Sequence, residues 1–442
     1  MPSAGLCADA TSIGKRLNTH ERTLRHQHRC CTGAFTPHAS PNDKAGVTPL
    51  TKRHILFIPS WYPSPDAPLL GTYFREQAAM FAEEGHKVGV LHARFHDLPS
   101  ATWLKGPSEP ITMVEEDGLI VVRARKRLFQ PGPLHRIPPV YRSSVRAREK
   151  LALRMYDAYK AMHGAPDIIH AKSAMWGAIL AKAIAERDNI PYVVTVGSSV
   201  FARGIVGPRE RKTAALTLRS ANRLLSVSTT LADDLERILG IQASAFMTVP
   251  NMIDSEKFPY TPLPENEMFT FGYMANLVED KGHRTLLNAF VDVPNAKLRL
   301  AGDGPLRAEL EAMTTRLGLD GRVEFVGPVA REKASGFFQA IDAFVHPSRY
   351  ETFGIVLVEA LSTGRPVIAT RCGGPNDIVR AEDGTLVNVD DVDGLAEAMR
   401  SFIGRVWDTQ VMRDGVEARY TKEAVRNRLL GVYETVLSPP RP

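Results

Sequence analysis

The sequence predicts an α/β protein with two doubly wound parallel sheets in series. From His54 onward, short apolar and β-branched runs alternate with amphipathic helical stretches, which is typical of a parallel sheet covered by helices on both faces. The alternation pauses at residues 255–268, which contain three prolines and little apolar periodicity, and then restarts. Because open α/β sheets bind ligands at the carboxyl ends of their strands, we expect the two domains to face each other across a cleft.

The predicted strands are short runs rich in Val, Ile, Leu and Phe. They cover residues 54–60, 88–94, 167–171, 192–196, 223–228 and 246–251 in the first half, and 269–275, 296–303, 323–328, 343–348 and 366–370 in the second. Helical patterns lie between them, such as 72–85, where Gly85 stops the helix, and 174–188. The predicted organisation is a disordered N-terminal extension (1–51), two Rossmann-like domains (52–260 and 265–420), and a C-terminal helix (421–442) that could pack back on the first domain.

Composition excludes several classes of protein. The 442 residues suffice for two domains, and no apolar run approaches the roughly 20 residues of a membrane-spanning helix. Four cysteines argue against a disulfide scaffold and suit a reducing compartment, so we expect a cytoplasmic protein. The net charge of +6 favours anionic partners, and the acidic pair Asp390 and Asp391 is interpreted as a helix start and not as a metal site.

The most informative segment is HPSRYETFGIVLVEALSTGRPVIATRCGG, residues 346–374. A strand followed by a short loop is predicted to lead into a helix that starts near Gly354 and stops at Gly364. Glu351 then lies just before the helix, and Glu359 lies on its second turn. Two such carboxylates can accept hydrogen bonds from the vicinal hydroxyls of a sugar or ribose. The N–H groups of Phe353, Gly354 and Ile355 are free donors at a positive helix end, suited to hydroxyl or phosphate oxygens.

Three other segments contain glycines or charged residues that are suited to a binding site. AGDGP at 301–305 is a strand-to-helix turn whose glycines, Gly302 and Gly304, permit close approach of a ligand. CGGPNDIV at 372–379 supplies Gly373 and Gly374, with Asp377 as an acidic neighbour. MANLVEDKGH at 274–283 contains Lys281 as a cation.

These segments resemble retaining glycosyltransferases of family 4 (glycosyl transferases group 1), which have the GT-B fold and a Glu-x7-Glu signature. The resemblance covers roughly residues 54–425 and is stronger in the second half. It implies that Glu359 binds the nucleotide ribose, and that Glu351 and Lys281 act on the donor sugar and its diphosphate. The implied donor-binding residues are Glu359, Phe353, Gly354, Ile355, Gly302, Gly304, Asn276, Gly373 and Gly374.

The chain departs from the family pattern at three positions. Asn276 stands where the family usually has an arginine, so one cation for the diphosphate is missing. On the acceptor side, Gly197 and Lys172 stand where related sequences often have histidines. The residues expected on the acceptor side are Gly71, Arg75, His170, Gly197 and Ser198.

The resemblance implies a hexosyltransferase that moves a sugar from a UDP-, GDP- or ADP-sugar to an acceptor hydroxyl with retention, in polysaccharide or glycolipid assembly, without a cofactor or metal. Two alternatives stay open: a nucleotide-sugar 2-epimerase, and a non-catalytic homologue that binds sugar nucleotides. The basic, partly apolar stretch at residues 123–154 fits two interpretations: an interfacial helix or loop on an anionic membrane surface at the inner membrane face, or a solvated basic face. The sequence shows no aromatic stacking platform with its basic residues, so we do not expect nucleic acid as a partner.

Overall fold

The computed structural model describes residues 51–68, 70–97, 109–128 and 137–438. The predicted extension 1–51 lies outside the described residues apart from Thr51. The strands of the first half are β1 (His54–Pro59), β2 (Lys87–Asp97), β3 (Glu109–Glu116), β4 (Leu119–Leu128), β5 (Ile168–Lys172), β6 (Tyr192–Val196), β7 (Arg223–Ser226) and β8 (Phe246–Thr248). Those of the second half are β9 (Phe269–Met274), β10 (Ala296–Ala301), β11 (Val323–Gly327), β12 (Ala343–His346), β13 (Val367–Thr370) and β14 (Gly384–Val387).

Helices separate most of these strands. They are α1 (Thr72–Glu83), α2 (Pro138–His163), α3 (Trp176–Asp188), α4 (Pro208–Arg219), α5 (Thr229–Leu239), α6 (His283–Val291), α7 (Arg307–Arg316), α8 (Ala334–Gln339), α9 (Ile355–Ser362), α10 (Pro375–Ile378), α11 (Val392–Phe402), α12 (Thr409–Tyr420) and α13 (Lys422–Leu437). Among the helices of the described ranges, none combines the length and apolarity that crossing a membrane requires.

Each half of the chain forms one sheet. Over the described residues, the strand order is β3-β4-β2-β1-β5-β6-β7-β8 in the first sheet and β11-β10-β9-β12-β13-β14 in the second. Neighbouring strands run parallel, except that β3 pairs with β4 in antiparallel fashion. The order reverses direction between β1 and β5, and again between β9 and β12. Ligand-binding crevices form at such switch points, so each domain has one.

Strand β1 shows why a parallel sheet requires a continuous apolar run. Side chains alternate between the two faces of a strand, and both faces of this sheet are covered. Ile55 and Phe57 pack into one apolar cluster, and Leu56 and Ile58 pack into the other. All four are at most 1% exposed.

Strands β3, β4 and β14 were not among the predicted elements. The basic stretch 123–154 is therefore neither a single helix nor a loop. It contains the end of β4 and the first two thirds of α2, while residues 129–136 lie outside the described residues. Arg123 pairs with Glu116, and Arg125 pairs with Asp66. Two cations of this stretch are thus paired inside the first domain.

Two segments connect the domains and lie side by side. The backbone N–H of Ile253 donates to the carbonyl of Tyr420 over 2.8 Å, and Ile253 forms a parallel bridge with Thr421. After this crossing, α13 returns to the first domain. The Tyr433 hydroxyl lies 2.5 Å from His170 Nδ1, and Glu434 pairs with Arg53 over 2.6 Å.

Candidate active site

Glu351 is held in place at the switch point of the second sheet. Its Oε1 lies 3.0 Å from Nε2 of His346, the last residue of β12, and accepts a hydrogen bond from Ser348 Oγ over 3.2 Å. Lys281, which follows β9, also pairs with Oε1. Burial by itself raises the pKa of Glu351, but the hydrogen bond and charge of His346 and the Lys281 ammonium lower it to about 2. Glu351 is therefore an ionised carboxylate, and its protein contacts converge on one oxygen.

The glycine loop after β13 fixes the backbone of Glu351. The Glu351 N–H donates to the Cys372 carbonyl over 3.1 Å, and the Gly374 N–H donates to the Glu351 carbonyl over 2.8 Å. Gly373 has φ +129°, and a Cβ at this position would lie 2.2 Å from the Glu351 carbonyl oxygen. A larger residue would displace the carboxylate from the cleft, so this glycine controls the position of Glu351.

Helix α9 begins four residues after Glu351, as predicted. Gly354 is its N-cap, and Phe353 and Ile355 flank the cap. The first turn of a helix leaves N–H groups without intrahelical acceptors, and these groups lie at the positive end of the helix. Glu359 is on the second turn of α9.

The environment of Glu359 differs from that of Glu351. Burial raises its pKa to about 7, the charge of Glu76 adds to this, and Arg331 opposes it. Glu76 belongs to α1 of the first domain and pairs with Arg331 over 3.1 Å. Glu359 thus lies where the domains meet. The pKa values of the two carboxylates shift in opposite directions, which equips them for different roles.

The turn at residues 301–305 and the segment at 274–283 form one unit. Leu277 N–H donates to the Asp303 carbonyl over 2.9 Å. Gly302 has φ +135°, and a Cβ there would lie 1.9 Å from the Ala275 carbonyl oxygen. Gly304 packs against the Leu277 backbone in the same way, and Asn276 is exposed between the two glycine contacts.

The first domain contacts this site through the start of α5. Thr229 donates to Asp377 through both its N–H and its hydroxyl, each over 2.6 Å. The Ser228 hydroxyl donates to the Thr352 carbonyl, also over 2.6 Å. The residue next to Glu351 is therefore joined directly to the opposite domain.

A cleft opens at the switch point of the first sheet. One cavity of about 710 Å³ is lined by residues including Trp61, Trp176 and Phe201. Smaller cavities of about 210 and 260 Å³ adjoin it and share Trp61. Gly197 and Ser198 line the cavity of 260 Å³, together with Thr352 of the second domain.

The remaining residues predicted for the acceptor side lie elsewhere. Gly71 packs against the backbone of Trp61 and so shapes the cleft indirectly. Arg75 pairs with Asp117 in the turn between β3 and β4. His170 is fully buried and bridges Tyr433 and Thr195, so the structure does not bring it to the cleft.

Sequence analysis named Lys172 only as a departure from the family pattern, and it did not assign Trp61 or Trp176 to the site. Lys172 is the last residue of β5, and burial lowers its pKa to about 7. The available signal was its place at the carboxyl end of a predicted strand. The tryptophans lie in loops or at helix starts, where a single sequence does not distinguish packing from ligand contact.

Two sequence profiles match this chain. The profile described as "Glycosyltransferase Family 4" matches residues 70–257, and the one described as "Glycosyl transferases group 1" matches residues 254–405. The chain belongs to these glycosyltransferases. The predicted family is confirmed, and the glycosyltransferase prediction is favoured over the epimerase alternative.

Similar proteins agree with this membership. The chain is 34% identical to the lipopolysaccharide core biosynthesis glycosyltransferase LpsE of Rhizobium meliloti over 36% of this chain, and it spans about half of that relative (47%). It is 26% identical to the putative teichuronic acid biosynthesis glycosyltransferase TuaC of Bacillus subtilis over 86% of this chain and 98% of TuaC. The structure of Anabaena HepE in complex with UDP and glucose matches with a TM-score of 0.59 and 20% identity over 87% of this chain and 100% of HepE. The predicted GT-B fold is confirmed.

Proposed function

We propose that this protein transfers a hexosyl group from a nucleotide sugar to an acceptor hydroxyl with retention, in polysaccharide or glycolipid assembly. One observation carries the proposal: an ionised Glu351 is anchored by Lys281 and His346 at a switch point that faces the other domain. The names of LpsE and TuaC, which refer to lipopolysaccharide core and teichuronic acid synthesis, support the pathway class. The UDP and glucose bound to HepE support a nucleotide-sugar donor.

Each donor group has a proposed partner. Glu359 accepts hydrogen bonds from the ribose hydroxyls, and Glu351 uses its second carboxylate oxygen to contact the donor sugar. The N–H groups at the start of α9 face the diphosphate, with Gly302, Gly304, Gly373 and Gly374 allowing close approach. Lys281 exchanges its contact with Glu351 for the leaving diphosphate, where its charge counters the charge that develops during departure.

The proposed reaction is a front-face displacement. The bond between the anomeric carbon and the diphosphate oxygen breaks, and the acceptor oxygen bonds to the same face of that carbon. The acceptor proton passes to the departing phosphate oxygen, so no separate protein base is required. The contribution of the protein is to hold the two substrates in register and to stabilise the leaving group.

Donor binding tests this assignment. A thermal-shift series with UDP-, GDP- and ADP-sugars should show one donor that raises the melting temperature, because a ligand that binds only the folded state stabilises it. Glu359→Ala should abolish the rise, while Glu397→Ala, at an exposed position on α11, should retain it. If none of the donors shifts the melting temperature, the proposal is wrong.

Product analysis separates the alternatives. Incubation with donor and an acceptor glycan should give a product with the anomeric configuration of the donor, as measured by NMR. An epimerised nucleotide sugar formed without acceptor would identify an epimerase. Donor binding without hydrolysis or transfer would identify a non-catalytic homologue.

We also propose a cytoplasmic location at the inner membrane face. The cations Arg142, Arg146, Lys150 and Arg154 repeat every four residues along α2 and are exposed, so they form one basic stripe. Flotation with vesicles containing phosphatidylglycerol should recover the protein, and pure phosphatidylcholine vesicles should not. A variant with all four cations changed to glutamine should lose the association. Equal recovery with both lipids would contradict the proposal.

A further inference from the structure

Lys172 is a buried lysine at the mouth of the first sheet. It ends β5 at the switch point, is 3% exposed, and lines the cavity of about 260 Å³. Within the described chain, its ammonium forms no ion pair with a carboxylate and no hydrogen bond. A buried charge without a partner is costly, and proteins seldom retain one without a use for it.

The rest of the cavity is rich in hydrogen-bond donors, and the described residues that line it include no Asp or Glu. Ser198, Ser199 and Asn251 line it with hydroxyl and amide groups. His170, the titratable neighbour on the same strand, is held neutral because burial lowers its pKa well below the ordinary value. An ammonium, hydroxyls and an amide around one cavity form a set of donors that suits an oxyanion.

The cavity is also next to the transfer site. Thr352, which lines it from the second domain, follows Glu351 directly, and its carbonyl is bonded to Ser228. Trp61 lines the same cavity and the larger one beside it, so an aromatic face is available to an acceptor ring. A group bound at Lys172 is therefore part of the acceptor, close to the hydroxyl that receives the sugar.

We infer that Lys172 binds an anionic group of the acceptor, a carboxylate or a phosphate, and thereby selects acidic glycans or sugar phosphates over neutral sugars. The inference rests on the proposed function, because it assigns the acceptor of the same reaction. It explains why a lysine occupies this position: the acceptor supplies the counter-ion that the described part of the chain does not provide.

The test compares neutral and acidic sugars as probes. Binding of glucose, glucuronic acid and glucose 6-phosphate is measured by saturation-transfer NMR. The wild-type protein should bind one of the acidic sugars about 10-fold more tightly than glucose, the effect expected of one charge-assisted hydrogen bond. Preference for glucuronic acid identifies a carboxylate, and preference for glucose 6-phosphate identifies a phosphate.

Two variants locate the effect. Lys172→Met should lose the preference, and Lys212→Met, at an exposed lysine on α4, should retain it. Melting curves establish that both variants are folded. Equal binding of neutral and acidic sugars by the wild type, including no binding of either, overturns the inference, as does a preference that survives in Lys172→Met.

The two proposals fail in different ways. If nucleotide sugars raise the melting temperature and acidic sugars show no preference, only the acceptor assignment is wrong. If nucleotide sugars do not bind, the glycosyltransferase assignment itself is wrong.

Discussion

Replacing Glu351 with glutamine removes a charge while keeping an acceptor of nearly the same shape. In the folded protein the pKa of Glu351 lies at about 2, below its ordinary value of 4.5, because His346 and Lys281 outweigh the effect of burial. At about 1.4 kcal/mol per pH unit, the ionised form stabilises the fold by about 3 kcal/mol. A carboxyl group with a lowered pKa gives this stability fully above 4.5 and loses it as the pH falls toward 2.

The free energy of unfolding of Glu351→Gln should therefore depend on pH in a defined way. Urea titrations followed by circular dichroism should show a loss of about 3 kcal/mol at about pH 7 and of only about 1 kcal/mol at about pH 3. Glu397→Gln, at an exposed position, is the control and should match the wild type at both pH values. A loss of equal size at both pH values, or a gain at about pH 7, would refute the reasoning.

Three further predictions follow from contacts elsewhere. Tyr433→Phe should lower the free energy of unfolding by about 1–3 kcal/mol because a buried nitrogen of His170 loses its partner. The control is Tyr62→Phe, which removes a buried hydroxyl without a hydrogen-bond partner in the described chain and should leave the free energy of unfolding unchanged. A similar decrease in both variants would contradict this prediction. Asp377→Ala removes a contact between the domains, so it should increase the radius of gyration of the ligand-free protein measured by X-ray scattering. An unchanged radius of gyration would contradict this prediction. Lys172→Met should raise the free energy of unfolding by about 4 kcal/mol at about pH 7. Burial lowers the pKa of this lysine from 10.5 to about 7, so its charged form destabilises the fold and the uncharged methionine does not. In urea titrations the gain should shrink toward pH 10.5, and a gain independent of pH would disprove the cause.

The sequence predicts continuous apolar strands better than strands that carry several charges. Tyr192–Val196 is predicted with its observed bounds because a strand covered on both faces is a continuous apolar run. Leu119–Leu128 begins as such a run but continues as RARKRL, which is typical of a basic surface. Its partner Glu109–Glu116 is an antiparallel edge strand with acidic residues at both ends. The pairing of Arg123 with Glu116 and of Arg125 with Asp66 is revealed only by the fold.

The candidate site also contains parts that the sequence predicts and parts that it does not. The loop and helix around Glu351 are predicted because their residues are contiguous in sequence. The surroundings of His170 cannot be inferred in this way, because Tyr433 is 263 positions away. The environment of Lys172 cannot be inferred either, because its cavity is lined by residues from five other segments of the first domain and by Thr352 of the second domain.

The return of α13 has a consequence for the order in which the chain can mature during synthesis. Val425, Leu429 and Tyr433 are fully buried in the apolar cluster of the first domain, beside Phe57 and Phe81. A nascent first domain therefore emerges from the ribosome with one face uncovered, and it stays incomplete until translation reaches the last residues of that helix. Chains that stop early expose this face, which marks them for chaperones and proteases.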